Sequence, residues 1–267
     1  MSYISEYIEK VNSQNRKVLS VYLTAGFPDP ENFVELAVSV LDAGADMLEL
    51  GIPFSDPLAD GPVIQHSSFE ALQKGVTINE AVEYAAEIRK RSDKPLIFMG
   101  YTNPILNMGI KKFTDAAKAA GANGIILPDV PYEEYDDFVT EDFKGLDVTL
   151  LTTPTSPEKR IKMIDEKSEG FVYCVSVVGT TGIRKGFDEY SMERIKFTYD
   201  TVTKNKMLIG FGISKGEDVK RFAPICDGVI VGSAVIKANT EDFENGNMDY
   251  SKTLDLVKEL SANCLIK

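Results

Sequence analysis

DMLELGIPFSDPLADGP, residues 46 to 62, opens as a short apolar run and breaks into a loop punctuated by glycine and proline. Beyond Asp46 it carries three carboxylates, Glu49, Asp56 and Asp60. Side chains alternate along a strand, so Leu48 and Leu50 share one face while Met47, Glu49 and Gly51 share the other. With the leucines packed under a covering helix, Glu49 points into the interior of a closed parallel barrel. A buried carboxylate is costly unless paired, which places it near the mouth of the barrel. Pro53, Pro57 and Pro62 fix φ while Gly51 and Gly61 permit tight turns, so the loop holds Asp60 at a set distance from Glu49. Two acids in different environments can divide proton transfer between them. The plainer alternative is that Glu49 ends its strand in a salt bridge and that Asp56 and Asp60 cap turns.

Outward from this stretch, short apolar runs alternate with helical patterns. An amphipathic helix is expected over residues 2–14, a strand over 18–24 and a helix over 31–43 that stops at Gly44. The strand at 46–51 is followed by a helical region ending around Arg91, a strand at 96–100, a loop or turn at 101–109, a helix at 111–120 and a strand at 124–128. An acidic helix over 132–143 and a strand at 148–152 come next, then a helix with Ser156 as its N-cap and Pro157 at its first position. A strand at 170–178 leads into a long loop, GTTGIRKGFDEYS. A helix near 191–203, the strand MLIGFGI, a short helix near 216–222, the strand DGVIVGS and a last helix near 251–262 complete the series. Eight strands alternating with helices predict an α/β fold with a parallel sheet. For 267 residues without a Pro/Ser-rich linker, the economical form is a single (β/α)8 TIM barrel over residues 1–267 with an extra N-terminal helix. A doubly wound open sheet is the alternative.

Composition excludes several functions. A net charge of −12 without a long basic run argues against non-specific nucleic-acid binding. Any anionic ligand must therefore be held locally. Cys174, Cys226 and Cys264 are far apart and never in a C-x-x-C spacing, and His66 is the only histidine. These counts leave no conventional zinc site and no disulfide framework. His66 lies in a polar run that reads as a helix start and is expected at the surface. No stretch reaches the ~18 apolar residues of a membrane span, nor does MSYISEYIEK carry a signal-peptide core, so a cytoplasmic protein is expected.

Two strands in the last quarter end in glycines, LIGFGIS at 208–214 and VIVGSAVIK at 229–237. Glycine lets a ligand approach the backbone, and N–H groups at a helix start attract an anion. The loops after strands 7 and 8 are the usual phosphate site of such barrels, and GTTG at 179–182 can add donors. Each glycine alone is equally a turn residue. Tyr22 shares strand parity with Ser20 and Thr24, and Tyr173 with Phe171 and Val175. A phenol near Glu49 can orient the acid or donate to a developing charge, and Tyr173 is equally read as a core aromatic.

Residues 48–65, LELGIPFSDPLADGPVIQ, closely resemble the signature of the tryptophan synthase α subunit family. The similarity continues through YTNPIL at 101–106, LPDVPYEE at 127–134, GTTG, GFGIS and VGSA. The resemblance implies retro-aldol cleavage of indole-3-glycerol phosphate to indole and glyceraldehyde 3-phosphate, with neither metal nor organic cofactor in this chain. It assigns acid/base work to Glu49, the indole N–H to Asp60, and the phenol beside the glutamate to Tyr173. Phosphate donors fall on Gly182, Gly212, Gly232 and Ser233 with Thr181 at the closing loop, where Arg184 and Lys185 are expected to help cover the phosphate. Tyr22 and Phe211 would flank the indole. Tyr22 stands where phenylalanine is also familiar, and Gly100 where a larger apolar residue often sits, so a differently shaped indole pocket is expected. The family also implies a pyridoxal-phosphate-dependent β subunit in an α2β2 heterotetramer, facing the loops at 53–60 and 103–106.

Overall fold

The computed structural model describes residues 2–176 and 189–266. Helix α1 (Tyr3–Asn12) is followed by β1 (Val18–Thr24), α2 (Phe33–Asp42), β2 (Met47–Gly51), α3 (Pro62–Gln73), α4 (Ile78–Arg89), β3 (Leu96–Met99), α5 (Thr102–Met108), α6 (Ile110–Ala119) and β4 (Gly124–Ile126). Then come α7 (Tyr135–Phe138), β5 (Asp147–Thr149), β6 (Leu151–Thr152), α8 (Glu158–Lys167), β7 (Val172–Val175), α9 (Glu189–Thr201), β8 (Met207–Gly210), α10 (Gly216–Phe222), β9 (Gly228–Val231), α11 (Ser233–Glu244) and α12 (Ser251–Asn263). Among the described residues no helix is long and apolar enough to cross a membrane.

Every strand pairing is parallel, in the order β5-β4-β3-β2-β1-β9-β8-β7-β6. The two outermost pieces are one strand interrupted at Leu150. β5 pairs with β4 and β6 pairs with β7, so the sheet closes on itself as an eight-stranded barrel. The stretch expected as one continuous strand at 148–152 is therefore bent. At the bend Leu150 N–H donates to Ser168 Oγ at 3.0 Å, and its carbonyl accepts from Tyr173 N–H at 3.0 Å. Backbone groups that leave the ladder thus stay paired, as burial demands.

Register settles which residues face inward. Tyr22 lies opposite Glu49, Glu49 opposite Ile97, and Thr24 opposite Gly51, so this parity class forms the barrel interior. Leu48 and Leu50 face the surrounding helices, as the alternation predicts. Helix α1 plugs the lower end. Ile4, Ile8 and Val11 are buried there, and a side-chain carbon added at Gly124 would lie 2.9 Å from Ile4 Cδ1. Asp46 serves this end as well. It pairs with Arg16 and accepts from Leu19 N–H at 2.8 Å.

Several boundaries differ from expectation for reasons distant in sequence. The helical region before Arg91 is two helices, parted at Gly75 (φ 84°) and restarted by a capping box between Thr77 and Glu80. Residues 101–109, expected as a loop or turn, contain α5. Its free first-turn donors are met by Asp129, which accepts from Thr102 N–H at 2.9 Å and Thr102 Oγ1 at 2.8 Å. The acidic helix over 132–143 breaks at Val139, leaving α7 between short 3-10 turns at Tyr132–Glu134 and Glu141–Phe143. Helix α8 starts one residue later than expected, with Pro157 as its cap residue. Ser156 Oγ instead accepts from Thr153 N–H at 3.1 Å. Strand β8 stops at Gly210 because Phe211 and Gly212 both take the left-handed conformation, φ 72° and 77°. The glycine at 232 opens α11, a helix separate from the last one.

Candidate active site

Glu49 is fully buried on the interior face of β2. Its Oε1 accepts from Ser20 Oγ at 2.8 Å, while Oε2 has no hydrogen-bond partner among the described residues. Burial disfavours the charged form and pushes the carboxyl up to about 8, against a smaller opposing effect of the Ser20 hydrogen bond. Salt-bridge pairing, the plainer alternative, is not what holds Glu49.

Asp60 is brought to the same cavity by the proline-rich loop, whose turn is closed by Asp60 N–H donating to Pro57 O at 3.0 Å. Burial raises its carboxyl to about 6, and the Tyr101 hydroxyl, donating to Oδ2 at 2.9 Å, opposes that rise. The same Tyr101 oxygen accepts from Ala59 N–H at 3.1 Å, so one phenol from the end of β3 ties down both the acid and its loop. Asp56 is exposed, with its carboxylate accepting from Ser55 Oγ, and lies outside this group. His66 is exposed on α3, as expected.

Tyr22 and Tyr173 are buried on β1 and β7, each laid over a glycine of the next strand. A side-chain carbon at Gly51 would sit 2.1 Å from Tyr22 Oη, and one at Gly210 would sit 2.0 Å from Tyr173 Oη. Those glycines are thus required by the phenols above them. Burial raises both phenols well above the ordinary range, with the neighbouring acids adding to the effect. Phe211 meets the Tyr173 ring edge-on at a centroid distance of 6.1 Å. Met99 faces the cavity, whereas a side chain at Gly100 would meet Ile52, so Met99 and not Gly100 shapes the pocket.

Tyr22, Glu49, Asp60, Tyr173, Phe211, Gly212, Gly232 and Ser233 all line one cavity of about 670 Å³. Gly232 precedes the first residue of α11, and no side chain caps that helix start. Its first N–H groups remain available to an anion. Thr181 and Gly182 lie outside the described residues, as do Arg184 and Lys185. Among the described residues no group of three or more His, Cys, Asp or Glu is placed to hold a metal ion.

The chain matches the family model described as tryptophan synthase alpha chain over residues 8–264. It belongs to the tryptophan synthase alpha chain family. Relatives include the tryptophan synthase alpha chain of Thermoanaerobacter pseudethanolicus, 41% identical over 263 residues that cover 97% of this chain and 100% of that one. The alpha chain of Geobacter sulfurreducens is 41% identical over 238 residues, covering 89% and 90%. Among solved structures, tryptophan synthase of Mycobacterium tuberculosis superposes with a TM-score of 0.89 at 30% identity, covering 100% of this chain and 99% of that one. The alpha subunit from Legionella pneumophila gives 0.87 at 34% identity, covering 99% and 98%. The α reaction of the family is cleavage of indole-3-glycerol phosphate to indole and glyceraldehyde 3-phosphate, and the chain is a lyase of tryptophan biosynthesis.

Two features of this site carry no local signature in the sequence. Tyr101 stands at the head of YTNPIL, where only a loop is expected. Lys215, Arg221, Lys237 and Lys252 also line the cavity, from α11, α12 and the segment around α10. These cations are scattered through helical patterns, and no spacing in the sequence marks them as one group.

Proposed function

We propose that Glu49, Asp60 and Tyr173 carry the α reaction, with Gly212, Gly232 and Ser233 holding the phosphate and Tyr22 and Phe211 flanking the indole. Thr181 and Gly182 are the remaining phosphate contacts in this reading. One observation carries it: two buried carboxyls of different acidity face a single cavity that is also lined by an uncapped helix start.

Carbon–carbon cleavage needs indole to leave as a neutral ring. A proton must reach C3 of the indole, positive charge at N1 must be stabilised, and the C3′ hydroxyl must lose its proton as its carbon becomes the aldehyde. Glu49, raised to about 8, is chiefly protonated at neutral pH and can donate to C3. Its carboxylate then accepts the hydroxyl proton, which restores the acid. Asp60, at about 6, is chiefly ionised and takes the hydrogen bond from N1–H. The glyceraldehyde phosphate and the ring leave with no net proton gained or lost.

A β-subunit partner goes with the family. The chain joins that partner in an α2β2 assembly in this proposal, with pyridoxal phosphate held by the partner and no cofactor in this chain. Leu58, 85% exposed on the loop after β2, and Leu106, 54% exposed on α5, give this side of the chain an apolar face suited to that contact. The deciding assay is indole release from indole-3-glycerol phosphate by the purified chain, with and without a β subunit. Slow release accelerated by the β subunit is expected. Fast release without acceleration would favour a free-standing lyase, and none under either condition would refute the reading.

Because Asp60 must be ionised and Glu49 protonated, kcat should fall below about pH 6 and again above about pH 8. Tyr101→Phe removes a donor to ionised Asp60, raising the carboxyl further. The acid limb should then move to higher pH by about one unit, with the alkaline limb in place. An unmoved acid limb would show that Tyr101 has no hold on Asp60.

A further inference from the structure

Ser20 has no part in the mechanism so far. It lies on β1 opposite Met47, one pleat below Tyr22, which lies opposite Glu49. Its hydroxyl is fully buried and donates its single proton to Glu49 Oε1 at 2.8 Å. No other hydrogen bond to the Glu49 carboxyl occurs among the described residues, and Oε2 is buried without a partner.

A carboxyl has one proton and two oxygens. Where one oxygen accepts from a buried donor, the proton is favoured on the other, because the carbonyl-type oxygen is the stronger acceptor. We infer that Ser20 is a positioning residue: by holding Oε1 it assigns the transferable proton of Glu49 to Oε2, the oxygen left for the substrate. This rests on the acid role proposed for Glu49 above.

The surroundings make Ser20 the group that can do this. The titratable side chains nearest Glu49 are Tyr22 from β1 and Tyr173 from β7, Asp60 from the loop after β2 lines the same cavity, and β3 presents the apolar Ile97. None of these three donates to the carboxyl. Without the hydroxyl, the proton divides between two equivalent oxygens and the carboxylate formed during turnover loses its one buried donor. An unpartnered buried carboxylate is strongly disfavoured.

The test compares Ser20→Ala, Ser20→Thr and Glu49→Gln in the chain assembled with a β subunit, measuring kcat and KM against pH. Ser20→Ala should lower kcat about tenfold and leave KM within about twofold. It should move the alkaline limb up by about one pH unit and leave the acid limb in place. Threonine, which keeps the hydroxyl, should restore both. Should its extra methyl group prevent folding, Ser20→Ala decides alone, since alanine only removes an atom. An unmoved alkaline limb with unchanged kcat in Ser20→Ala overturns the inference, as does a folded Ser20→Thr as impaired as alanine. Activity retained by Glu49→Gln would instead refute the role of Glu49. An inactive Glu49→Gln beside an unshifted Ser20→Ala profile would refute Ser20 alone.

Discussion

Replacing Glu49 with glutamine should lower the rate of indole release by about 10²–10⁴-fold, the range for losing a positioned proton donor. Glutamine matches glutamate in shape, and its side-chain carbonyl can still accept from Ser20, which donates to Oε1 in the native chain. The amide cannot, however, give up a proton at C3 and take one back from the C3′ hydroxyl. The change removes chemistry with little change in volume, so KM should stay close to the native value. Folding should be preserved, because glutamine replaces a buried group that is difficult to ionise with one that never ionises. Single-turnover measurement isolates this step from product release. A residual rate within about tenfold of the native one would move the acid role elsewhere, with the Tyr173 phenol the next candidate.

Asp60→Asn should lower kcat by about 10²–10³-fold, as expected for losing one fixed charge opposite a developing one. The amide oxygen can still accept from Tyr101, so the loop should keep its place. What disappears is the negative charge that, in the proposed mechanism, meets the indole nitrogen as the ring becomes cationic. The acid limb of the pH profile should disappear with it, since that limb reports ionisation of Asp60 at about 6. A variant that lost activity yet kept the limb would assign the limb to another group. The two substitutions thus mark opposite ends of the profile, and Tyr101→Phe shifts the lower end without abolishing it.

The acids were legible in sequence because a strand has a period of two. Leucines at 48 and 50 place Glu49 on the other face whatever the neighbouring strands do. Proline and glycine spacing likewise announces a rigid loop, and rigidity is enough to bring Asp60 toward Glu49. Tyr101 was not legible as a site residue. Its importance follows from α5, whose first turn is satisfied by Asp129, twenty-seven residues downstream of Thr102. Ser20 had the right parity, yet its partner depends on how β1 and β2 register, and no local pattern determines that. The bend at Leu150 was hidden for a similar reason. VTLLT reads as one strand, and only the hydroxyl of Ser168 diverts its backbone from the ladder. Met99 and Gly100 show the same limit at one-residue scale: a shift of one position decides which of them faces the cavity.

That bend divides the residues around the cavity into two groups: the segment before it supplies Tyr22, Glu49, Asp60 and Tyr101, and the segment after it supplies Tyr173, Phe211, Gly212, Gly232 and Ser233. The two halves meet along two seams, one at Leu150 and the other where Ser20 lies opposite Ile230. The distance across the cavity between the two carboxyls and the start of α11 is therefore not set by any single loop. It is gauged by strand register across both seams, and that ladder cannot slip by one residue without turning its interior outward.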